Sequence, residues 1–235
     1  MRQAPPIPPG NRLLATLPPA DRARLVESCE PVQLALSDIL YEPGQRILHA
    51  YFPLAGCISL LTPVDRQTRL EVGLVGDEGM VGTPLALGVA VSPLQALVQG
   101  AGTCLRMAAQ TFQHALADSA ALQRQMDRYL FVRMTQLAQS AGCTRYHLVE
   151  ARLARWLLMT QDRAHSASFH ITHEFLATML GVRRAGVTKA ATALQARGLI
   201  QYSRGNIDVL DRPGLEATSC ACYRTDSDTY RGIMG

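Results

Sequence analysis

The segment from Ile171 to Asp211 constrains the fold of this chain more than any other part of its sequence. The hydroxyl of Thr172 can cap the start of a first helix. Apolar residues recur at helical spacing on both sides of Gly181, which can adopt the positive φ that ends one helix and turns the chain. Two short apolar runs follow Gly198, and turn-forming residues 203–206 separate them. The order of helix, tight turn, helix and hairpin predicts a winged helix-turn-helix, which presents its second helix to the DNA major groove.

The second helix of this motif, predicted over about residues 183–197, has an apolar inner face and a basic outer face. Its N-terminal half is the part that reaches base edges in such motifs. An arginine can bind guanine through two hydrogen bonds, and a lysine can bind a phosphate or guanine. The predicted outward-facing residues are Arg183, Arg184, Gly186, Thr188 and Lys189. Arg204 lies at the tip of the hairpin, where it can touch the phosphate backbone.

The distribution of charge supports a polyanionic partner for this part of the chain. The whole chain has a net charge of only +4. Between Arg163 and Gly205, however, there are six basic residues and a single acidic one, Glu174. The positive charge that DNA binding requires is therefore concentrated around the motif. The plain alternative is a small helical domain whose arginines are merely solvated.

Length and composition exclude several other classes of protein. The chain has 235 residues, of which 48% are hydrophobic and 18% charged, which suits two globular domains. The sequence has no apolar run of membrane-spanning length, and its N-terminus has no signal-peptide core. We therefore expect a cytoplasmic protein with no membrane partner. Because the sequence also contains no strong catalytic motif, we do not expect an enzyme.

The region between Val32 and Met107 consists of short β-rich runs that glycine and proline separate. Strands at this spacing predict an antiparallel barrel or roll. Within it, Asp77 and Glu78 fall in a turn flanked by glycines, where we expect solvation and local hydrogen bonds.

A long helix is predicted from about Ser119 to Ala141, followed by a hinge at 142–144. Its apolar positions have near-heptad spacing, which permits two interpretations. The helix can form a dimer seam, as regulators that bind two half-sites need, or it can pack on its own barrel. The predicted dimer residues are Leu122, Met126, Tyr129, Leu130 and Leu137.

The six cysteines are scattered, and the sequence contains no C-x-x-C pair. Cys220 and Cys222 form the one close pair, and a metal or redox role for them, with Cys143, is an open alternative. Because a zinc site needs more ligands at suitable spacing, the sequence by itself predicts no metal ligands and no cofactor.

In this order, the features resemble the Crp/Fnr family of bacterial transcription regulators. The resemblance covers about residues 13–223. Its closest fits are Glu42-Pro43-Gly44, Tyr51-Phe52-Pro53, Gly56-Cys57-Ile58-Ser59 and the run from Ile171 to Leu210. It implies an α+β fold with an N-terminal cyclic-nucleotide-binding-like antiparallel β-roll, a long dimerisation helix and a C-terminal winged helix-turn-helix. The resemblance also implies a division of the chain into domains. The sensor roll covers residues 1–118, of which 1–11 are disordered, and the dimerisation helix and hinge cover 119–146. The DNA-binding domain covers 147–223, and a disordered tail covers 224–235.

The resemblance also assigns roles to residues of the motif. By position, Arg184 matches the arginine that the family places on guanine, Lys189 matches a second basic DNA contact, and Thr172 matches a phosphate contact. The family often has a glutamate directly after the first arginine, whereas this chain has Ala185. A DNA target that differs from the family's familiar one is therefore implied.

The sensor departs from the family's cyclic-nucleotide binders at two positions. Thr83 stands in place of the glutamate that holds the ribose, and Pro93, within one position, in place of the arginine that binds the cyclic phosphate. Since a buried phosphate without a cation is strongly disfavoured, we expect that cyclic AMP is not the effector. The candidate effector residues are Val81, Gly82, Thr83 and Leu85.

The sequence thus predicts a homodimeric, sequence-specific DNA-binding transcription regulator with an unknown small effector. Its expected partners are a palindromic double-stranded DNA operator and a second copy of the chain, with RNA polymerase as a further candidate. The alternative is a redox- or ligand-sensing module that acts through protein contacts and does not bind DNA. The effector, the target sequence and the choice between activation and repression are left open.

Overall fold

The computed structural model describes residues 10–65 and 68–235 of the chain. It begins with two short helices, α1 (Arg12–Ala15) and α2 (Pro19–Glu27). The prediction of disorder over residues 1–11 falls mostly outside the described residues, but it is wrong for Asn11. That side chain is buried, accepts a hydrogen bond from the backbone of Leu14 as the cap of α1, and donates to the carbonyls of Pro53 and Gly79.

The predicted antiparallel roll is present as two sheets. Its strands are β1 (Glu30–Leu34), β2 (Ile39–Tyr41), β3 (His49–Pro53), β4 (Cys57–Pro63), β5 (Arg69–Val75), β6 (Gln95–Gly100) and β7 (Gly102–Ala108). The order is β1-β7-β3 in one sheet and β2-β6-β4-β5 in the other, with antiparallel pairing throughout. A 3₁₀ helix (Thr83–Leu87) lies between β5 and β6. Apolar side chains of both sheets share one core, centred on residues such as Phe52, Ile58 and Val98.

Two helices follow the roll, α3 (Ala109–Asp118) and the long α4 (Ala120–Tyr146). The first half of α4 belongs to the roll, because Leu122, Met126 and Tyr129 are buried in the same core as the strands. The hydroxyl of Tyr129 also accepts a hydrogen bond from the backbone of Met80 at 3.2 Å. The prediction that these three residues form a dimer seam is therefore wrong, since they face their own domain.

The predicted hinge at residues 142–144 is also wrong. α4 remains helical through Gly142 and Cys143 and ends at Tyr146, and the chain becomes extended at His147. No close contact requires a glycine at this position, because a side-chain carbon added to Gly142 would meet nothing within 4 Å, and the long helix accommodates it at a cost of about 1 kcal/mol relative to alanine. The chain therefore changes direction about four residues later than the composition indicates.

The C-terminal domain is built around α5 (Val149–Ala164), whose apolar face includes Leu153, Trp156 and Leu157. It continues with β8 (Ser168–His170), α6 (His173–Leu180), α7 (Arg184–Ala196), β9 (Ile200–Ser203), β10 (Asn206–Val209) and α8 (Arg212–Thr218). The three strands form an antiparallel sheet in the order β8-β10-β9. β8 adds a strand to the predicted two-stranded wing.

The predicted disordered tail is instead a helix, α9 (Cys222–Met234). It packs along α4 and returns to the roll, where Met234 is buried in the roll core and the hydroxyl of Tyr230 donates to the carbonyl of Glu78 at 2.7 Å. Its apolar and aromatic side chains lie at its two ends, and the six polar residues 224–229 between them leave no continuous apolar stripe that could reveal the helix in the sequence. α9 therefore ties the C-terminal domain to the N-terminal one.

The turn that contains Asp77 and Glu78 is part of a buried contact between the two domains. Both carboxylates are about 6% exposed, so the expected solvation is wrong. Glu78 binds the guanidinium of Arg163 on α5, with a shortest N···O distance of 2.7 Å. Asp77 lies 3.0 Å from the guanidinium of Arg12 and 3.1 Å from the imidazole of His165. Long-range ion pairs therefore occupy a turn that looked purely local in the sequence.

Candidate nucleic-acid interface

The turn between α6 and α7 has the local chemistry that the sequence predicts. The hydroxyl of Thr172 caps α6 by accepting from the backbone of Phe175 at 3.2 Å. Gly181 ends α6 with a φ of 63°, a left-handed conformation that favours glycine. A side-chain carbon added there would also come within 2.7 Å of Leu70 on β5. The turn is thus fixed both by its own geometry and by the roll beneath it.

α7 separates its two faces as expected. Val187, Ala190, Ala191 and Leu194 are buried in the core of the C-terminal domain. Arg183, Arg184 and Lys189 are exposed on the opposite side, and Gly186 has open space around it. The buried face fixes the rotation of α7, so the exposed basic side chains point outward together.

Thr188 differs from the other outward-facing residues because its hydroxyl already has partners. It lies 3.0 Å from Nδ1 of His173 and donates to the carbonyl of Arg184 at 3.1 Å. The His173 ring in turn stacks on Tyr202 of the wing, with centroids 4.1 Å apart. Burial and the positive charge of Arg184 lower the pKa of His173, which favours its neutral form. Thr188 therefore helps to join α6, α7 and β9, a role that the sequence did not indicate.

Arg184 has a weak intramolecular partner. Its Nε atom lies 4.0 Å from a carboxylate oxygen of Glu174, and both side chains are more than 70% exposed. An ion pair at this distance and exposure contributes little to stability and is easily exchanged. Arg184 is therefore free to leave Glu174 for a phosphate or a guanine.

The tip of the wing is a tight turn at Arg204 and Gly205. Both residues have positive φ values, 50° and 85°, as a two-residue type I′ hairpin turn requires. Gly205 suits that conformation, whereas an arginine adopts it less readily. The turn holds the exposed side chain of Arg204 at the end of the hairpin.

Two of the six basic residues counted from the sequence serve other purposes. Arg163 is buried against Glu78, and Arg197 lies 3.1 Å from the carboxylate of Glu150 and donates to Thr218. The basic surface of the motif therefore consists of the four remaining residues, Arg183, Arg184, Lys189 and Arg204, all of which are exposed.

The candidate effector residues lie at the start of the 3₁₀ helix. Val81 and Leu85 fill the roll core, and the backbone of Val81 bonds to that of Tyr51. Gly82 has a φ of 98°, and Thr83 is half-buried. A separate cavity of about 720 Å³ lies between the domains, with Asp77, Arg163, Asp162 and Tyr230 among its lining residues.

Outside the winged helix-turn-helix, four side chains lie together that were not predicted as a group from the sequence. Cys143 and His147 at the end of α4 meet Cys220 and Cys222 near the start of α9. A metal or redox role for the three cysteines was an open alternative from the sequence, but no role was predicted for His147. Its spacing of four residues from Cys143, one helical turn, was the available signal.

These features together define a protein with a β-roll and a winged helix-turn-helix that exposes a basic second helix. Residues 151–218 match the family model described as the Crp-like helix-turn-helix domain. The chain thus carries a Crp-like helix-turn-helix domain on the fold of the Crp/Fnr regulators.

Three solved structures illustrate the shared fold. FixK2 from Bradyrhizobium japonicum superposes with a TM-score of 0.69 at 13% identity, over 82% of this chain and 98% of that one. A Crp/Fnr-family regulator from Eubacterium rectale gives 0.68 at 18% identity, over 88% and 96%. The c-di-GMP-responsive regulator CLP of Xanthomonas campestris gives 0.65 at 17% identity, over 81% and 98%. No curated protein sequence gives a significant match.

Within residues 10–65 and 68–235, none of the helices combines the length and the apolar character needed to cross a membrane.

Proposed function

We propose that this protein is a homodimeric transcription regulator that binds DNA by placing α7 in the major groove. The observation that carries the proposal is the division of α7 into a buried apolar face and an exposed basic one. The capped turn and the wing hold that helix in place from both ends. An exposed, rigidly held basic helix is the arrangement that direct readout of base edges requires.

Within this proposal, Arg183, Arg184 and Lys189 approach bases and adjacent phosphates, and the backbone at Gly186 can approach the groove closely. Thr172 and Arg204 flank them and contact the phosphate backbone. Thr188 supports the helix through His173 rather than reading a base, because its hydroxyl is already engaged. Ala185 cannot accept a hydrogen bond, so the base opposite it is read less strictly.

The alanine variant of Arg184 tests the assignment. If Arg184 binds guanine through two hydrogen bonds, we expect Arg184→Ala to weaken operator binding by about 1–3 kcal/mol and to relax one base position. Lys189→Ala should weaken binding to all sequences more evenly and reduce the salt dependence, since a phosphate contact is lost. The measurement is fluorescence anisotropy at several salt concentrations with genomic fragments selected by the wild-type protein.

Arg231→Ala is a matched control, because Arg231 is an exposed arginine on α9 that pairs with Asp228. The DNA affinity of this variant and the salt dependence of that affinity should equal those of the wild type. Wild-type affinity in both Arg184→Ala and Lys189→Ala would contradict the proposed interface. It would favour the alternative of a module that acts through protein contacts alone.

The second half of α4 supplies the surface for a second copy. Phe131, Met134 and Leu137 are 51%, 67% and 43% exposed, and they follow one another at intervals of three residues. Leu130 borders them and is half-buried. An exposed apolar stripe on a long helix suits symmetric pairing with the same helix of another chain. The two recognition helices of such a dimer would read a palindromic operator.

A charge placed in this stripe tests the dimer. We expect Met134→Glu to convert the protein to a monomer, since two carboxylates would face each other across an apolar seam. Sedimentation velocity at several concentrations measures the change. Leu48→Glu is the control, because Leu48 is 63% exposed and belongs to the segment between β2 and β3 rather than to α4. A dimer that persists in Met134→Glu would place the interface elsewhere.

We also propose that an effector acts near Gly82 and Thr83 and that it is not cyclic AMP. The absence of an arginine at Pro93 supports this, because a cyclic phosphate would lack its cation there. The half-buried Thr83 and its neighbour Leu87, which is 66% exposed, offer contacts at the surface. Val81 and Leu85 act from the core beneath them.

A further inference from the structure

Four metal-ligating side chains converge where the end of α4 meets the segment between α8 and α9. Cys143 and His147 come from the last turns of α4, and Cys220 and Cys222 come from the far end of the chain. Their ligand atoms all lie within 4.8 Å of one another. The three cysteines are buried, with exposures of 2%, 7% and 1%. Three thiols and an imidazole thus enclose one small space.

The distances match a tetrahedral site for a single ion. With Zn–S bonds of about 2.3 Å and Zn–N bonds of about 2.0 Å, the edges of a tetrahedron are about 3.8 Å between sulfurs and about 3.5 Å between sulfur and nitrogen. The sulfurs of Cys143 and Cys220 are 3.6 Å apart. The sulfur of Cys222 and Nδ1 of His147 are 3.5 Å apart. Two of the six edges of a zinc tetrahedron are therefore already present, and the remaining ligand atoms lie within 4.8 Å of one another.

Polar groups around the cluster suit thiolates better than neutral thiols. Nε2 of Gln139 donates to the sulfur of Cys222 at 2.9 Å, and a guanidinium nitrogen of Arg155 lies 3.8 Å from the sulfur of Cys143. Asp226 holds Arg155 in position through a 2.5 Å ion pair. Such outer donors orient the ligands of metal sites and stabilise their charge.

Two other chemistries fit the geometry less well. A disulfide requires sulfurs at about 2.05 Å, well inside the 3.6 Å separation of Cys143 and Cys220. An iron–sulfur cluster distributes its protein ligands over several irons, so it needs sulfurs farther apart than a group that converges on one point. The geometry therefore favours a single thiophilic ion.

We propose that Cys143, His147, Cys220 and Cys222 bind one Zn²⁺ ion in a structural site that fastens α9 to the end of α4. Binding releases the thiol protons to solvent, and neutral His147 supplies the fourth ligand. Three thiolates and one divalent cation leave a single negative charge, which Arg155 partly offsets. The site joins the helix of the proposed dimer seam to the C-terminal domain.

The test is the metal content of the full chain, purified under reducing conditions without a metal-affinity tag. We expect one equivalent of zinc per chain by inductively coupled plasma mass spectrometry. Cys222→Ser and His147→Ala should each lose most of this zinc. Cys29→Ser is the matched control, because Cys29 is a free thiol in the roll, and it should retain the full equivalent.

A second measurement keeps the test valid if a variant folds poorly. Wild-type protein stripped by a chelator and titrated with Co²⁺ should show tetrahedral ligand-field bands and thiolate-to-cobalt charge transfer that saturate at one equivalent. Folding is monitored in parallel by circular dichroism. The proposal is overturned if folded wild-type protein binds neither ion, if His147→Ala and Cys222→Ser retain full zinc, or if the isolated protein carries a Cys143–Cys220 disulfide. None of these readouts involves DNA, so they are independent of the proposed function.

Discussion

Replacing Arg163 with alanine is expected to lower the free energy of unfolding by about 3–5 kcal/mol, because the change leaves the buried Glu78 side chain with only the more distant Arg12 guanidinium, at 3.9 Å. Arg163 reaches from α5 into the roll, where Nε donates to Glu78 at 2.8 Å and another nitrogen donates to the carbonyl of Met159. The side chains of Arg163 and Glu78 are 11% and 8% exposed. Although burial opposes the charged form, Glu78 raises the pKa of Arg163, so the guanidinium keeps its charge.

Urea unfolding monitored by Trp156 fluorescence measures this change, since the single tryptophan lies beside the same domain contact. Arg231→Ala removes an exposed ion pair of the same chemistry and should cost less than about 1 kcal/mol. The double variant Arg163→Met, Glu78→Gln should cost less than the sum of the single changes, because no charge is left unpaired. A loss below about 1 kcal/mol in Arg163→Ala would show that the domains do not depend on this pair.

Replacing Glu71 with glutamine is expected to flatten the dependence of stability on pH between about 4.5 and 7. Glu71 lies on β5, and its carboxyl group accepts hydrogen bonds from Ser59 at 2.7 Å and from the indole of Trp156 at 3.0 Å. Burial is the main cause that raises the pKa of Glu71 to about 7, and the two hydrogen bonds oppose it. At pH values between about 4.5 and 7, the Glu71 carboxyl group therefore holds a proton in the folded protein that it has lost in the unfolded chain.

The stability of the wild type should therefore fall as pH rises through this window, by at most about 3 kcal/mol from this group, and level off above about 7. Glu71→Gln should lack that fall and be more stable than the wild type above pH 7. Thermal or urea unfolding at a series of pH values gives the difference between the two proteins. Glu27→Gln, at an exposed position on α2, should leave the wild-type curve unchanged. Parallel curves for Glu71→Gln and the wild type would mean that the carboxyl group is ionised in both states.

The sequence predicts best those parts of the fold that depend on residues close together along the chain. The N-cap at Thr172, the positive φ of Gly181 and the hairpin turn at Gly205 each depend on a few adjacent positions. The alternation of apolar and basic residues along α7 likewise follows from helical period alone. For this reason the sequence alone predicts the residues of the candidate DNA interface, without knowledge of tertiary contacts.

α4 shows why the dimer seam could not be predicted in the same way. The helix has apolar residues on two faces, with Met126 and Tyr129 on one and Phe131 and Met134 on the other. Hydropathy identifies both faces but does not say which one meets the roll of the same chain. The sheet contacts decide, and they cover the first face while leaving the second exposed.

Contacts between distant segments explain the remaining differences. Glu78 and Arg163 are 85 residues apart, and Cys143 and Cys220 are 77 residues apart. No local pattern joins such residues, because their proximity depends on how α5 and α9 pack against the roll and α4. α9 itself was missed because its apolar positions are sparse in a polar sequence, and tertiary packing stabilises it.

The return of α9 to the roll has a consequence for the order in which the protein folds during synthesis. Leu13 and Met234 belong to one core although they lie near opposite ends of the sequence. A nascent chain can form the strands early, but it cannot close this core until residue 234 has left the ribosome. The N-terminal domain can therefore be completed only after the C-terminal one has been synthesised, and contacts of such long range slow folding.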